Sequence, residues 1–513
     1  MKRIACLLAG LACLLCGCKE EKEPVDEPVS GKINISILNT SSTRTSITVT
    51  INALGHHLDD FDKWGVTMSE TSDCTEGTDV AAPGRPSDGK KEVKIESLKE
   101  NTSYYFWAWA EGKDVERQWT SSHTVVKTRQ KDQPKKLSGT VIGSLYSVDY
   151  STNQQSTSVN VKDNVFDGNY DTYFASYDRS GTWVGLDLGT KHVITKIGYS
   201  PRITQEHRVQ LAVIEGANEP DFSDAIPIHM IKNSAPSRQM SYEDVKCTRG
   251  FRYVRYASPN NVRCNLAELE FHGVEDEGDD SQLYQITNLP LVVINTEGAQ
   301  DIVSKEYEIS SNVYIISEDG KKMLSTSDTG VRGRGNASWL YFEKKPYRLK
   351  FSSKQNVLDA PASAKKWTLI SNYGDKSLMR NILAFEVSRR GGQAYTPYCH
   401  PVDLVVNGEY RGCYQLCDQV EAAKDRVPAK DGYLIEVDSY AAEEDLMFWS
   451  WHGTPVTIKH PDEDEITDEQ KTFIENYFNW MESAALADNF TDPVEGYRKH
   501  LDLDSFLRNF LIG

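Results

Sequence analysis

Asn164-Val165-Phe166-Asp167-Gly168-Asn169-Tyr170-Asp171-Thr172 is followed by Trp183-Val184-Gly185-Leu186-Asp187-Leu188-Gly189 and by Ile197-Gly198-Tyr199-Ser200-Pro201-Arg202. The first stretch gathers the oxygen-bearing side chains of Asp167, Asn169, Asp171 and Thr172 around Gly168, a tight-turn composition. Hard oxygens at this spacing suit Ca²⁺; the same residues also build an Asx-type turn that binds no ion. The second and third stretches are short apolar runs bounded by turn residues, and they read as strands of a β module.

The β pattern extends toward the N-terminus. Between Gly31 and Gln130, Ile33, Ile35 and Ile37 alternate with polar residues, as do Ile47, Val49 and Ile51. Tyr104-Tyr105-Phe106-Trp107-Ala108-Trp109-Ala110 is a third strand of the same kind, and Tyr105 and Trp107 read as core or face residues. A polar, Lys-rich link, 129–136, leads into the middle module, 137–273, which ends in Tyr253-Val254-Arg255-Tyr256 and Ala267-Glu268-Leu269-Glu270-Phe271. Trp183 and Phe174 are assigned to its core. The acidic run from Glu275 to Asp280, within a linker over 274–284, reads as solvated spacer.

From residue 285 onward the pattern becomes α+β. Val292–Ile294 and Val313–Ile316 read as strands, and Asn407-Gly408 between Val402–Val406 and Tyr410–Tyr414 predicts a two-residue hairpin. Leu378, Ile382 and Phe385 recur at helical spacing, with Gly391 as a C-cap. Thr467 and Gln470 form a capping box ahead of Phe473, Ile474, Tyr477, Phe478 and Met481. Residues 332–354 hold seven Lys/Arg and one acid, Glu343, making a cationic island in an acidic chain. Glycines that admit a ligand to the backbone, followed by cations on a strand, suit a polyphosphate; a basic surface hairpin has the same composition.

Composition bounds the partners. At 513 residues, and with domains of roughly 100–200 residues, about three domains are expected. A net charge of −18 argues against a general nucleic-acid binder, which needs clustered cations against phosphate. Lys2 and Arg3 precede an apolar run, Ile4 to Cys16, long enough for a signal-peptide core and too short to span a bilayer. The charged, Pro-containing stretch after Cys18 is a flexible stalk. Six of the ten cysteines lie beyond it, none in a CxxC pair, so a zinc knuckle is not expected. Cys247 with Cys264, and two of Cys399, Cys413 and Cys417, are able to pair in an oxidising compartment, with the connectivity open.

Four resemblances follow from these residues. Leu15-Cys16-Gly17-Cys18 resembles the lipobox of bacterial lipoproteins, which implies cleavage after residue 17 and a lipid on Cys18. Lys19-Glu20-Glu21 resembles the surface-export signal of Bacteroidetes lipoproteins, implying the outer face of the outer membrane. Leu98–Tyr104 with the aromatic strand after it resembles a fibronectin type III sandwich, a spacer with no site of its own. The middle module, 137–273, resembles the discoidin (coagulation factor 5/8 type C) jelly roll. That likeness adds Glu268 and the carbonyl of Ala267 to the calcium ligands Asp167, Asn169, Asp171 and Thr172. Related modules bind galactose-type or other glycans through an aromatic with Arg and Asn, and Tyr170, Tyr177, Asn260, Asn261 and Arg263 are the candidates, each with a core or structural role as the plainer alternative.

A fifth resemblance covers residues 289–513. Arg332-Gly-Arg-Gly-Asn-Ala-Ser-Trp339, Lys344-Lys-Pro-Tyr-Arg-Leu-Lys-Phe351, Trp367–Asp375, Leu378–Asn381, Val402–Gly412 and Gly432–Asp438 together resemble the CotH kinase family. The likeness implies an atypical protein-kinase-like fold that moves the γ-phosphoryl of ATP, with Mg²⁺, to Ser of a partner protein. It makes Lys350 the phosphate contact, Arg334 and Arg348 its electrostatic support, and Asp418 with Gln419 neighbours of the nucleotide. The family's metal-binding acids are expected after the helix that begins near Asp504. The chain as written is therefore expected to be an incomplete, inactive enzyme, with no catalytic residue assigned. The competing expectation is a non-catalytic glycan-binding adhesin; a glycoside hydrolase would need paired carboxylates that no pattern here identifies.

Overall fold

The computed structural model describes residues 33–55, 58–82, 90–113, 115–130, 133–429 and 431–512, so the signal segment, Cys18 and the stalk lie outside the described residues. The chain forms two compact units, residues 1–132 and 133–513.

The first unit is a β-sandwich. One sheet holds Asn34–Ser42, Ile47–Leu54 and Lys90–Ile95; the other orders Thr78–Ala82, Lys63–Ser69 and Ser103–Glu111, against which Gln118–Trp119 and Thr124–Lys127 also pair. The period-two residues fill its core: Ile47, Val49 and Ile51 face Trp64, Val66, Phe106 and Ala108. Burying each Ile removes enough apolar surface to stabilise the fold by about 2 kcal/mol. The hydroxyl of Tyr104 accepts a hydrogen bond from the Lys99 backbone N–H at 2.9 Å, which fixes the turn into the aromatic strand.

The second unit begins with a jelly roll. Its strands order Phe174–Ala175, Asn265–Glu275, Trp183–Pro201, Gly250–Ala257, Val213–Ala217 and Ile226–Met230. The long strand Trp183–Pro201 serves both layers. Residues 183–187 pair with Gly250–Ala257, and residues 194–201 pair with Asn265–Glu275. Phe174 is fully buried, as expected, whereas Trp183 is only partly buried, against Phe222 and Arg255 in a satellite cluster.

Next comes a closed barrel of seven strands, in the order Leu291–Thr296, Ile309–Ile316, Met323–Gly333, Tyr347–Gln355, Ala364–Ile370, Glu409–Asp418 and Cys399–Val406. Parallel pairing of the first strand with the last closes it. The continuous apolar run Leu291-Val-Val-Ile294 is buried on both faces for a physical reason: Val292 and Ile294 fill the barrel, while Leu291 and Val293 join the jelly-roll core. Jelly roll and barrel are thus packed into one core. The acidic run between them is mostly exposed and is tied down at two points: Arg249 grips Asp280 through two bonds of 2.6 Å, and Lys191 pairs with Glu277.

The Asn407-Gly408 hairpin forms, both residues with positive φ. Gly408 packs so closely that a Cβ there would sit 2.7 Å from Glu215 Oε2 and 3.0 Å from Ala257 Cβ on the jelly roll. After the barrel, Leu434–Val437, Pro455–His460 and Met447–Trp449 make a small sheet beneath the helix Asp468–Leu486, whose capping box at Thr467 and Gln470 is present. Ile474 and Phe478 of that helix are buried, but Phe473 is exposed. The expected helix near Leu378 is Arg380–Arg390; it buries none of its side chains, Gly391 is its C-cap as expected, and Gly392 after it is left-handed. Among the described residues no helix is long and apolar enough to cross a membrane.

Candidate functional site

Three constellations carry chemistry. The first is the turn after Lys162–Phe166. Asp167 accepts from the Asn169 N–H (2.8 Å) and the Thr172 hydroxyl (2.7 Å), and Asn169 Oδ1 accepts from the Asp171 N–H at 3.1 Å. Glu268, buried on the strand Asn265–Glu275, brings its carboxyl to Asp167. Burial, then the Asp167 carboxylate, pushes the Glu268 carboxyl up to about 7, and its Oε1 is buried with no hydrogen-bond partner. Opposite it the strand register slips between Ser200 and Pro201, leaving Ala267 as the extra residue of a bulge. Asp167, Asn169, Thr172 and Glu268 therefore converge, with Ala267 the residue before Glu268. Asp171 turns outward instead, its Oδ1 held 2.6 Å from Arg238.

The second lies on the loops at one end of the jelly roll. Asn260 Oδ1 accepts from the Ser180 hydroxyl (2.5 Å) and the Asn261 N–H (2.9 Å), and Arg263 donates to the carbonyls of Ser176, at 2.7 Å, and Tyr177. The Arg263 guanidinium also lies 5.7 Å from the Tyr177 ring. Tyr177, Asn260, Asn261 and Arg263 are neighbours, but Arg263 spends its donors on the protein's own backbone. Tyr170 belongs to the turn beside Asp171, within electrostatic reach of Tyr242. The residue that sequence reading missed is Arg202. Its guanidinium lies 3.9 Å from the Tyr173 ring and 4.6 Å from Tyr150, and it donates to Asn265 Oδ1 at 3.3 Å. Tyr150 is 45% exposed, and Tyr146 nearby in sequence is 42% exposed. A half-buried fork between aromatic rings offers a sugar both stacking faces and donors. Ser200-Pro201-Arg202 held the clue; Tyr150 carried no signal of its own.

The third is the basic stretch of the barrel. In Tyr347–Gln355, Leu349 and Phe351 are core, so Arg348 and Lys350 point outward. Glu308 meets both there, 2.5 Å from Arg348 and 3.9 Å from Lys350, in room left by Gly330, where a Cβ would be 2.4 Å from Glu308 Oε2. Arg332, directly opposite Arg348, shares that outer face. Asp418 lies on the opposite side of the wall, in register with the core residue Trp367. Its carboxylate accepts from the Tyr398 N–H at 3.0 Å and sits 3.2 Å from the buried Arg426, which also donates to the carbonyl of Gln419 at 3.0 Å. The five expected nucleotide residues do not form one cluster. Arg334 stands apart from Glu308: it is within electrostatic reach of Arg332, Cys417 and Glu436, and burial draws its pKa down. Among the described residues its guanidinium has no hydrogen-bond or ion-pair partner.

Solved structures similar to parts of the chain include the CBM62 of Clostridium thermocellum Xyl5A, at 38% identity over 27% of this chain and 97% of that one, with a TM-score of 0.25. The family 32 module of C. perfringens NanJ in complex with galactose shows 12% identity over 26% and 92%, TM-score 0.21. A fucose-binding module of Streptococcus pneumoniae, SpX-3, shows 18% identity over 26% and 93%, TM-score 0.19. No curated protein matches the chain. The barrel's basic strand, the cross-strand hairpin and all that follows them fall in residues 331–513, which match the family described as CotH kinase protein.

Proposed function

We propose that this chain is an envelope-anchored glycan-binding protein whose C-terminal domain is an ATP-dependent, CotH-like phosphotransferase acting on Ser of a partner protein. In this reading a lipid on Cys18 tethers it to the outer face of the outer membrane, and the first unit is a fibronectin type III-like spacer. Arg202 with Tyr150 and Tyr173 takes a galactose-type glycan or glycoprotein, and Tyr177, Asn260 and Arg263 shape the neighbouring loop. Asp167, Asn169, Thr172, the Ala267 carbonyl and Glu268 would hold a structural Ca²⁺. Two facing carboxyls with a buried, unpartnered oxygen fit a divalent cation, whose charge would offset their repulsion.

The observation that carries the phosphoryl-transfer reading is Arg334. A part-buried guanidinium whose donors no protein group takes favours an anion, and a phosphate accepts its fork in bidentate fashion. Arg334 binds and orients the phosphates in this scheme, and Arg348 and Lys350 add a positive field from the outer face, damped by Glu308. For Mg²⁺ the fit is poor: the carboxylate of Asp418 is already engaged by Arg426. The same engagement favours a second reading, a non-catalytic surface adhesin that uses the domain as a protein-binding platform. Incubation with γ-labelled ATP and envelope proteins separates them. Label on Ser, lost in Arg334→Ala, supports transfer; no label from correctly folded protein leaves the adhesin.

A further inference from the structure

We infer that Cys399 and Cys417 are the site of a reversible cross-strand disulfide, made by exchange with a disulfide-bearing thiol donor. The two residues are directly opposite in the antiparallel pair Cys399–Val406 and Glu409–Asp418. Beside them the Asp418 N–H donates to the Tyr398 carbonyl at 3.0 Å, so by alternation Cys399 and Cys417 occupy the non-hydrogen-bonded, closer type of pair. Cα atoms in such a pair sit about 4.5 Å apart, inside the roughly 4.4–6.8 Å range that a disulfide spans. The two thiols are close enough to perturb each other's titration, and the Cys417 thiol also donates to the Gln415 carbonyl at 3.7 Å.

The pair is also asymmetric in the way exchange requires. Cys399 is half-buried and reachable, while Cys417 is buried behind it. The neighbouring Cys417 thiol lowers the Cys399 pKa against the opposing effect of burial, with Gln415 and Arg389 also lowering it. Cys417 is pushed upward, first by that same contact. Cys399 as thiolate attacks one sulfur of the donor, forming a mixed disulfide and releasing the donor's other sulfur as a thiolate. Cys417 then loses its proton and attacks the Cys399 sulfur, expelling the second donor thiolate. Two protons leave the protein, and two electrons reduce the donor's disulfide to two thiols.

The other candidate partner is excluded by position. Cys413 lies four residues up the strand from Cys417, about 13 Å at the rise of a β-strand, and its thiol donates to the Tyr414 carbonyl at 3.6 Å. The remaining cysteines of this unit, Cys247 and Cys264, are buried thiols at opposite ends of the strand Asn265–Glu275, Cys264 just before its start and Cys247 near the Arg249–Gly278 bridge past its end, too far apart to pair.

The test is a linkage map. The full chain is reduced, desalted, equilibrated with mixtures of oxidised and reduced glutathione, quenched by alkylation, and digested for mass spectrometry. A peptide linking 399 to 417 is expected as the main product, unchanged in Cys413→Ser; Cys417→Ser should stop at a glutathione adduct on Cys399. Alkylation of both thiols at the most oxidising ratio, or a link that runs to Cys413, overturns the inference. The wild-type and Cys413→Ser maps decide the matter even if Cys417→Ser fails to fold.

Discussion

Glu268 and Asp167 set two carboxyl groups against each other at the rim of the jelly roll, one on a closing strand and one in the turn that precedes Gly168. The shared site holds the Glu268 proton up to about 7, above its ordinary value of 4.5. Without a cation the folded protein keeps a proton that the unfolded chain releases above pH 4.5, so stability falls as pH rises from 4.5 to about 7. Calcium should abolish that slope. Melting curves over this range, with chelator and with Ca²⁺, are expected to diverge as pH rises; at about 100-fold over Kd the ion adds about 2.7 kcal/mol. Glu268→Gln should remove both the slope and most of the calcium response.

Arg255 and Glu215 form an ion pair inside the jelly roll, 2.7 Å apart, with their side chains 9% and 0% exposed. Arg255 also covers the Phe222 ring at 4.1 Å. Arg255→Ala leaves a buried carboxylate without its counter-ion and should cost about 3–5 kcal/mol in urea unfolding. The double variant Arg255→Met with Glu215→Gln should recover much of it.

Arg202 should be a binding residue that also carries some stability. Arg202→Ala is expected to weaken binding to a galactose-type glycan by about 10-fold or more and to cost about 1 kcal/mol of stability, since it removes ring contacts and the donor to the buried Asn265 Oδ1. Arg263→Ala should also lower stability, because its donors hold the Ser176–Tyr177 backbone.

The capping box of the helix Asp468–Leu486 is worth testing by itself. Thr467 Oγ1 accepts from the Gln470 N–H at 3.2 Å, and Gln470 Oε1 accepts from the Thr467 N–H at 2.8 Å. Thr467→Ala should cost about 1 kcal/mol by denaturant titration, and Thr467→Ser should restore most of it.

What was legible in the sequence follows a physical rule. Period-two strands in the sandwich, the Asn407-Gly408 hairpin, and the Thr467-Gln470 cap depend on neighbours close in sequence, and each appears where the pattern put it. The barrel closure, the shared core under Leu291 and Val293, and the grip of Arg249 on Asp280 depend on residues far apart in the chain, which no local period encodes. The candidate sites divide the same way. The Asp167–Thr172 turn was visible as a cluster, but the outward turn of Asp171 depends on Arg238. The cationic island looked like one site; strand alternation separates Lys350 and Arg348 from Asp418, and Glu308, just ahead of the strand Ile309–Ile316, pairs with them.

Calorimetry of ATP binding to the folded chain, without added metal, tests the phosphate reading most directly. Wild-type protein should bind, Arg334→Ala should lose about 10-fold or more in affinity, as expected when a charged hydrogen bond is removed, and Lys350→Ala, exposed and shared with Glu308, should change it far less. An absence of binding, or an Arg334→Ala variant that binds as the wild type does, would contradict the account.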